Sequence, residues 1–363
     1  MTTPTVTEAA ILDALRNVQD PDLHKNIVDL GFVKHVKIAE NGRVALTIEL
    51  TTPACPVRDR MREDARRLVS ALPGVKAVDV KMTAQVRQSH AMSREILIPG
   101  VRNIIPIASG KGGVGKSTVA VNMALALSKM SARVGLMDAD VYGPSVPGIM
   151  GIRELPQQIG DRIIPVVQDG VKVISMGFFL RDDQAVMWRG PMLAKMVEQF
   201  LGGVEWGDLD YLIIDLPPGT GDIQLTLCQR IPLTGAAIVS TPQDVALRIA
   251  EKAIIMFRQL NTPILGLIEN MSHFVCRHCG TREDIFGSGG ARRASERLGI
   301  PFLGEIPLAS DIRIDTDRGN PSVLAEPGSA HARSFMTVAE NLAAQVSVAN
   351  MQQELSGAVQ VTF

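Results

Sequence analysis

The fold of this chain is decided by the stretch GKGGVGKS at residues 110–117, which reads Gly110-Lys111-Gly112-Gly113-Val114-Gly115-Lys116-Ser117. It fits the pattern G-x-x-x-x-G-K-[ST], follows an aliphatic run at residues 104–108, and precedes a helical pattern of apolar residues. In such a loop, glycines let backbone N–H groups turn toward phosphates, and the helix N-terminus adds the positive end of its dipole. The stretch therefore predicts a nucleotide-binding phosphate loop between a buried strand and a helix.

Individual residues of this loop have predicted roles toward ATP. Lys116 is expected to reach the β- and γ-phosphates, and the Ser117 hydroxyl is expected to ligate Mg²⁺. The predicted nucleotide-binding residues are Gly110, Lys111, Gly112, Gly113, Val114, Gly115, Lys116, Ser117 and Thr118.

Two other aliphatic runs end in aspartates. Residues 211–214 lead into Asp215, which is the Walker B pattern, and an aspartate at that strand end can hold the Mg²⁺ shell. Residues 134–137 lead into Asp138, with Asp140 two positions later. One of these two acids could orient the attacking water or the Mg²⁺ shell, or both could only cap the next segment.

The domain organisation follows from the spacing of apolar runs. From residue 101 onward, short aliphatic runs alternate with turns and helical patterns, which indicates βαβ units. We therefore expect an α/β P-loop NTPase domain over residues 101–363, with a mostly parallel sheet covered by helices. Residues 1–83 have the order α-β-β-α-β and predict a small α+β domain, and the polar residues 84–100 predict a linker.

The composition argues against several other classes of protein. Of 363 residues, 46% are apolar and 21% charged, as in a globular protein with a real core. The net charge of −1 argues against nucleic acid or a membrane surface as a partner, since both attract basic proteins. No apolar run approaches the ~18 residues that span a bilayer. With no signal-peptide pattern and four cysteines, too few for a disulfide scaffold, we expect a cytoplasmic protein.

A second lysine in the loop, Lys111, makes it similar to the deviant Walker A of the MinD/ParA/nitrogenase-reductase class of ATPases. Within that class, further stretches resemble the Mrp/ApbC iron–sulfur cluster carriers, namely residues 138–145, residues 215–222, Glu269-Asn270-Met271, and the C-x-x-C of Cys276 and Cys279. The N-terminal residues resemble the small iron–sulfur assembly domain that often precedes bacterial members, in Asp20-Pro21-Asp22, residues 27–31 and residues 51–56.

The resemblance implies an ATP-hydrolysing homodimer that carries a 4Fe–4S cluster. Its implied partners are an upstream assembly scaffold and the apoproteins that accept the cluster. It implies catalytic roles for Lys111, Lys116, Asp140 and Asp215, in which Lys111 reaches the partner's nucleotide and Asp140 places the hydrolytic water. It also implies that Asn270 recognises adenine, although the residues alone leave Asn270 open as a turn residue at a strand end.

Two other functions remain compatible with these motifs. One is a positioning ATPase of the MinD/ParA type, which needs a basic tail or surface, whereas residues 350–363 contain no Lys or Arg. The other is an ATP-dependent reductase that passes electrons through the same kind of cluster.

Cys276 and Cys279 can chelate one metal centre, but a closed site needs about four ligands. Two subunits related by a two-fold axis would supply four thiolates and hold a bridging cluster. Zinc with His273 or His278 in a single chain and a redox disulfide are the alternatives. Spacing alone favours cluster and zinc equally, because thiolates suit both, and the resemblance favours the cluster.

The other two cysteines have separate predictions. Cys55 lies between two prolines at a predicted helix N-terminus, a position that lowers the pKa of a thiol. It is a transfer ligand, a reactive thiol or a small packing residue. Cys228 falls in an apolar helical pattern and is predicted to lie in the core.

Overall fold

The computed structural model describes residues 6–89, 98–179, 190–219, 224–225, 228 and 231–359. The chain divides into two units, Met1–Arg87 and Gln88–Phe363. No helix in the described part of the chain combines the length and the apolar character that crossing a membrane requires.

The first unit is an α+β module. Its elements are α1 (Glu8–Leu15), β1 (Gln19–Asp20), β2 (Lys25–Asn26), β3 (Val33–Ile38), β4 (Arg43–Leu50), α2 (Arg58–Ser70) and β5 (Ala77–Ala84). Strand β4 lies in the middle of a three-stranded sheet, antiparallel to β3 and parallel to β5. Its alternating residues Val44, Leu46, Ile48 and Leu50 are buried, which confirms the half-buried strand that the alternation predicts. Strand β5 ends at Ala84, and residues 90–97 of the predicted linker lie outside the described residues.

The second unit alternates strands and helices. Its elements are β6 (Ile104–Ser109), α3 (Lys116–Lys129), β7 (Val134–Asp138), α4 (Val146–Ile149), β8 (Gln157–Ile159), β9 (Arg162–Ile164), β10 (Val166–Gln168), β11 (Val171–Ser175), α5 (Gly190–Gly202), β12 (Tyr211–Asp215), β13 (Ala236–Ser240), α6 (Asp244–Gln259), β14 (Ile264–Asn270), β15 (Phe274–Val275), β16 (Arg282–Glu283), α7 (Gly290–Leu298), β17 (Phe302–Ile306), α8 (Ser310–Asp317), α9 (Ser322–Ala325) and α10 (Ala330–Val359). A 3₁₀ turn at Met176–Phe178 follows β11.

Eight of these strands form one sheet in the order β10-β11-β7-β12-β6-β13-β14-β17. Only β10 pairs in the antiparallel direction among the described strands of this sheet. Every residue of β6, β7, β12 and β13 is buried. Continuous burial explains why these strands are aliphatic runs without alternation, since helices cover both faces of a parallel sheet. The predicted α/β fold with a mostly parallel sheet is confirmed.

The strand order reverses beside β6, which lies between β12 and β13. The chain leaves β6 toward β7 on one side and later crosses to β13 on the other. Open α/β sheets bind ligands in the crevice at the carboxyl ends of the strands where such a reversal occurs. The glycine-rich stretch directly follows β6 and therefore lies at that crevice.

Candidate functional site

The glycine-rich loop connects β6 to α3, which begins at Lys116. Gly113 and Gly115 have φ angles of 77° and 80°, in the left-handed region that favours glycine. A Cβ at Gly110 would come within 2.5 Å of the Ile249 carbonyl carbon, so the loop also requires glycine there for close backbone approach. The N-cap residue of α3 offers no side-chain hydrogen bond, which leaves the first N–H groups of the helix for an anion.

Lys116 brings the predicted catalytic charges together. Its Nζ atom lies 2.5 Å from Asp215 Oδ1 and 3.6 Å from Asp140 Oδ2, and 3.3 Å from the Ser117 hydroxyl. Lys116 is 6% exposed, and Asp215 is fully buried. Burial raises the pKa of Asp215, although the Lys116 ammonium beside it acts to lower that pKa. The single lysine charge therefore lies between two carboxylates at the place where phosphates are expected.

The residues around Asp215 fit a magnesium ion. The Oδ2 atom of Asp215 is buried and has no hydrogen-bond partner in the described part of the chain. Carboxylate and hydroxyl oxygens are the donors that Mg²⁺ prefers, and Ser117 supplies a hydroxyl at the same lysine. The donor set at Asp215 and Ser117 is therefore suitable for Mg²⁺.

Asp138 and Asp140 have different surroundings. The buried carboxylate of Asp138 accepts hydrogen bonds from Asp140 N at 3.1 Å, Val146 N at 3.2 Å and the Ser175 hydroxyl at 2.8 Å. Burial, and the charge of nearby Asp215, raise the pKa of Asp138 to about 7. Asp138 thus holds the loop that follows β7, whereas Asp140 faces Lys116.

Asp140 also has a capping role. Its Oδ1 atom accepts hydrogen bonds from the backbone N–H groups of Tyr142 and Gly143, both at 3.2 Å. The capping role is therefore confirmed for Oδ1, and Oδ2 faces Lys116, while the orientation of water or the Mg²⁺ shell by this acid stays a prediction.

Asn270 ends β14 and contacts the glycine-rich loop. Its side-chain N–H donates to the Val114 carbonyl at 2.8 Å, and its side-chain oxygen accepts from Met271 N at 3.0 Å. A Cβ at Gly115 would overlap the amide nitrogen of Asn270. Asn270 and the loop are therefore packed directly against one another. Lys111 lies in the same loop, where its carbonyl accepts a hydrogen bond from the Ser109 hydroxyl at 3.0 Å.

Cys276 and Cys279 lie in the turn of a hairpin formed by the antiparallel strands β15 and β16. We call residues 274–283 the cysteine hairpin. Its turn is fixed by hydrogen bonds from Cys276 N to the Thr281 carbonyl at 2.9 Å and from Gly280 N to the Cys276 carbonyl at 2.8 Å. The Cys279 sulfur is exposed and lies 3.1 Å from the Thr281 hydroxyl. Hydrogen bonding from Thr281 lowers the pKa of Cys279, which favours the thiolate that binds metals.

Comparison with known proteins identifies the family. A family model described as NUBPL iron-transfer P-loop NTPase matches residues 100–343. The chain belongs to the iron-transfer P-loop NTPases. A second model, described as iron-sulfur cluster assembly protein, matches residues 8–81. A Synechocystis protein named iron-sulfur cluster carrier protein is 47% identical over 350 residues, which cover 95% of this chain and 99% of that protein.

Solved structures are similar to about two thirds of this iron-transfer P-loop NTPase. A nucleotide-binding protein from Archaeoglobus fulgidus, solved in complex with ADP, is 40% identical with a TM-score of 0.58, over 65% of this chain and 93% of its own. The cell division ATPase MinD of Pyrococcus furiosus is 24% identical with a TM-score of 0.51, over 66% of this chain and 98% of its own. The second likeness shows a shared fold, and it confirms the P-loop NTPase fold expected from the sequence.

The zinc alternative needs His273 or His278 beside the two cysteines. No group of three or more His, Cys, Asp or Glu side chains that could hold a metal ion occurs among the residues the structure describes. His273 lies against Glu305 instead, with 4.0 Å between its Nδ1 atom and Oε1 of the glutamate. The choice between a bridging cluster and zinc at Cys276 and Cys279 therefore stays a prediction.

The two remaining cysteines differ from one another in outcome. The predicted lowering of the Cys55 pKa is wrong, because burial raises that pKa to about 11, and the charges of Asp20 and Asp22 act in the same direction. Helix α2 begins only at Arg58, so the helix dipole does not outweigh the effect of burial on the pKa of Cys55. Cys228 is 5% exposed within the hydrophobic core, as predicted, and burial raises its pKa to about 12.

Sequence reasoning missed two buried residues that organise the site. Ser175 ends β11 and binds Asp138, which ends the neighbouring strand β7. Since parallel strands end at one edge of a sheet, the polar residue at the end of β11 was a usable signal. Glu269, fully buried, accepts hydrogen bonds from Gly289 N and Ala291 N at the start of α7. Its position before Asn270 gave no sign of that long-range contact.

Proposed function

We propose that the chain is an iron–sulfur cluster carrier that binds and hydrolyses ATP and transfers its cluster to acceptor apoproteins. The observation that carries the proposal is that the strand β14, which contacts the phosphate loop, leads directly into the hairpin that holds the thiol pair. Asn270, the last residue of β14, contacts the phosphate loop, and Cys276 follows six positions later in an exposed turn. The relatives named as cluster carriers support the same function.

ATP hydrolysis depends on the charges around Lys116. When ATP binds, the Lys116 ammonium can move from the carboxylates to the β- and γ-phosphates. There it stabilises the negative charge of the transition state. Ser117 and Asp215 would hold Mg²⁺, which neutralises the charge on the phosphates. Asp140, whose Oδ2 atom faces the same point, positions the attacking water. Lys111 has no role in the ordinary P-loop mechanism, and we assign it to the nucleotide of a second copy.

The cluster is the cargo, held by the thiols of the cysteine hairpin. Each chain supplies two thiolates, and a 4Fe–4S cluster needs four, so a two-fold homodimer completes the ligand set. A cluster at an exposed turn is accessible to an acceptor and to an upstream scaffold that loads it. We place this exchange in the cytoplasm, where thiols remain reduced.

Cluster transfer is tested with anaerobically reconstituted protein and a purified apoprotein that needs a 4Fe–4S cluster for its activity. The carrier function predicts that the acceptor gains activity while the absorbance of the donor is lost, even when a chelator removes free iron. Cys279→Ser protein treated in the same way serves as the control and should support no transfer. A loaded protein that exchanges electrons with the acceptor yet never gives up its iron would replace the carrier with the reductase.

A further inference from the structure

Between the phosphate loop and the cysteine hairpin lies a short connection, residues 271–273. Asn270 is bound to the Val114 carbonyl on one side of it, and Phe274 begins the hairpin on the other. Arg282, on the second strand of the hairpin, lies 3.8 Å from Glu305 and donates hydrogen bonds to Asp284 at 3.0 Å and to the Ser288 hydroxyl at 2.9 Å. A movement of the phosphate loop can therefore reach the start of the hairpin through Asn270, and Glu305 lies beside the end of the hairpin.

Ser272, in this connection, lies between two carboxylates. It is fully buried, and its Oγ atom is 2.6 Å from Glu269 Oε1 and 3.1 Å from Glu305 Oε2. A serine hydroxyl carries one proton, so it donates to one ionised carboxylate at a time. Ser272 thus has two alternative acceptors, which lie opposite one another on the neighbouring strands β14 and β17.

The two acceptors differ in how firmly they are held. Glu269 is fully buried and fixed by Gly289 N at 2.9 Å and Ala291 N at 2.7 Å, at the N-terminus of α7. The Glu305 side chain is 35% exposed, and its other oxygen faces Arg282 of the hairpin. Glu269 is therefore held by backbone N–H groups, whereas Glu305 has side-chain partners, namely Ser272, His273 and Arg282.

We propose that Ser272 and Glu305 are positioning residues that couple nucleotide binding to the geometry of the cysteine hairpin. Nucleotide binding shifts the phosphate loop and, with it, Asn270, which donates a hydrogen bond to that loop. The Ser272 hydroxyl, two residues further on, then donates its hydrogen bond to Glu305 rather than to Glu269. The contact between Glu305 and Arg282 changes as a result, and the positions of Cys276 and Cys279 in the hairpin change with that contact. The inference rests on the proposed function, because it assigns a use to a nucleotide site and a thiol site in one chain.

The test uses the chain without cluster, so that its readout is independent of transfer activity. Iodoacetamide labelling of Cys276 and Cys279 is followed by mass spectrometry, with and without Mg²⁺ and a non-hydrolysable ATP analogue. The half-buried thiol of Cys55 and the buried thiol of Cys228, both with a raised pKa, serve as internal references. In the wild type we expect the analogue to change the labelling rate by about fivefold or more, the size of a typical coupling between two sites.

The variants separate positioning from general structure. Ser272→Ala and Glu305→Gln should bind the analogue with unchanged affinity and lose most of the nucleotide effect on labelling. Glu305→Gln alters a partly exposed side chain and keeps the test valid if the buried Ser272→Ala fails to fold. Glu283→Gln changes an exposed carboxylate on the same hairpin strand and should behave like the wild type.

The outcomes distinguish this inference from the function beneath it. If the wild type binds the analogue and its labelling rate stays constant, the coupling is wrong while the nucleotide site stands. An equal nucleotide effect in wild type, Ser272→Ala and Glu305→Gln also overturns it. If the wild type binds no analogue at all, the proposed function fails together with the coupling.

Discussion

Removal of the Lys116 charge should destabilise the second unit as well as abolish hydrolysis. Lys116 is the cation nearest to the fully buried Asp215 among the described residues, and Asp140 shares it. Lys116→Ala leaves both carboxylates in a buried place without a positive charge. Breaking a buried ion pair by removing one partner typically costs ~3–5 kcal/mol. Both side chains of the Lys116–Asp215 pair are nearly inaccessible to water, so solvent screening does not reduce that figure.

The loss of stability should depend on pH. Burial already raises the pKa of Asp215, and removal of Lys116 raises it further, because the lysine acts to lower it. Below the raised pKa, the folded variant binds a proton that the unfolded chain releases at the ordinary aspartate pKa near 4. The loss of unfolding free energy in Lys116→Ala relative to the wild type is therefore greatest above the raised pKa and shrinks as the pH falls through it.

The assay is thermal unfolding without nucleotide at pH 8 and pH 6. For a unit of this size, the expected loss corresponds to a melting temperature lowered by about 10 °C at pH 8. Lys116→Ala combined with Asp215→Asn removes the unpaired charge and should recover most of the stability, yet remain without ATPase activity. A Lys116→Ala protein as stable as the wild type at both pH values, or no recovery in the double variant, would refute the assigned pairing.

Two further predictions concern the phosphate loop. If Lys111 acts on the nucleotide of the partner, a heterodimer of one Lys111→Ala chain and one Lys116→Ala chain contains one intact composite site. Such heterodimers should hydrolyse ATP, whereas the homodimer of either variant should not. Proven heterodimers without ATPase activity would contradict this role of Lys111. Gly115→Ala should weaken ADP binding, measured by calorimetry, by about tenfold or more, because the φ of 80° and the overlap of a Cβ with Asn270 distort the loop. Gly143→Ala places a Cβ in open space and should leave the affinity for ADP unchanged. Equal affinities of the two variants for ADP would contradict the packing argument.

The parts of the molecule that were predictable from sequence depend on local patterns. Strands buried on both faces must be aliphatic runs, and the loop after β6 must be rich in glycine, so the α/β fold and the place of Lys116 follow directly. The alternation of β4 was equally readable. The contact of Lys116 with Asp215 joins residues that are far apart in sequence. Because both lie at the same edge of the sheet, their proximity was predictable.

The parts that could not be predicted depend on long-range packing. The pKa of Cys55 is set by burial in the folded module, which overrides the effect of a nearby helix N-terminus. The Ser272 hydroxyl lies within hydrogen-bond distance of Glu269 on β14 and of Glu305 on β17. No spacing of residues in the sequence predicts this contact. The pKa of Cys55 and the contacts of Ser272 both depend on the charges and distances in the folded chain.

One measurement tests the central claim most directly, namely native mass spectrometry of the anaerobically reconstituted chain. Two chains that share a cluster between their cysteine hairpins predict a dimer with one 4Fe–4S cluster, since each chain provides two of four thiolates. Cys276→Ser and Cys279→Ser should each abolish that species, and Cys228→Ser, in the core, should retain it. Stoichiometric zinc without labile sulfide, or a complete cluster on a monomer, would contradict the claim.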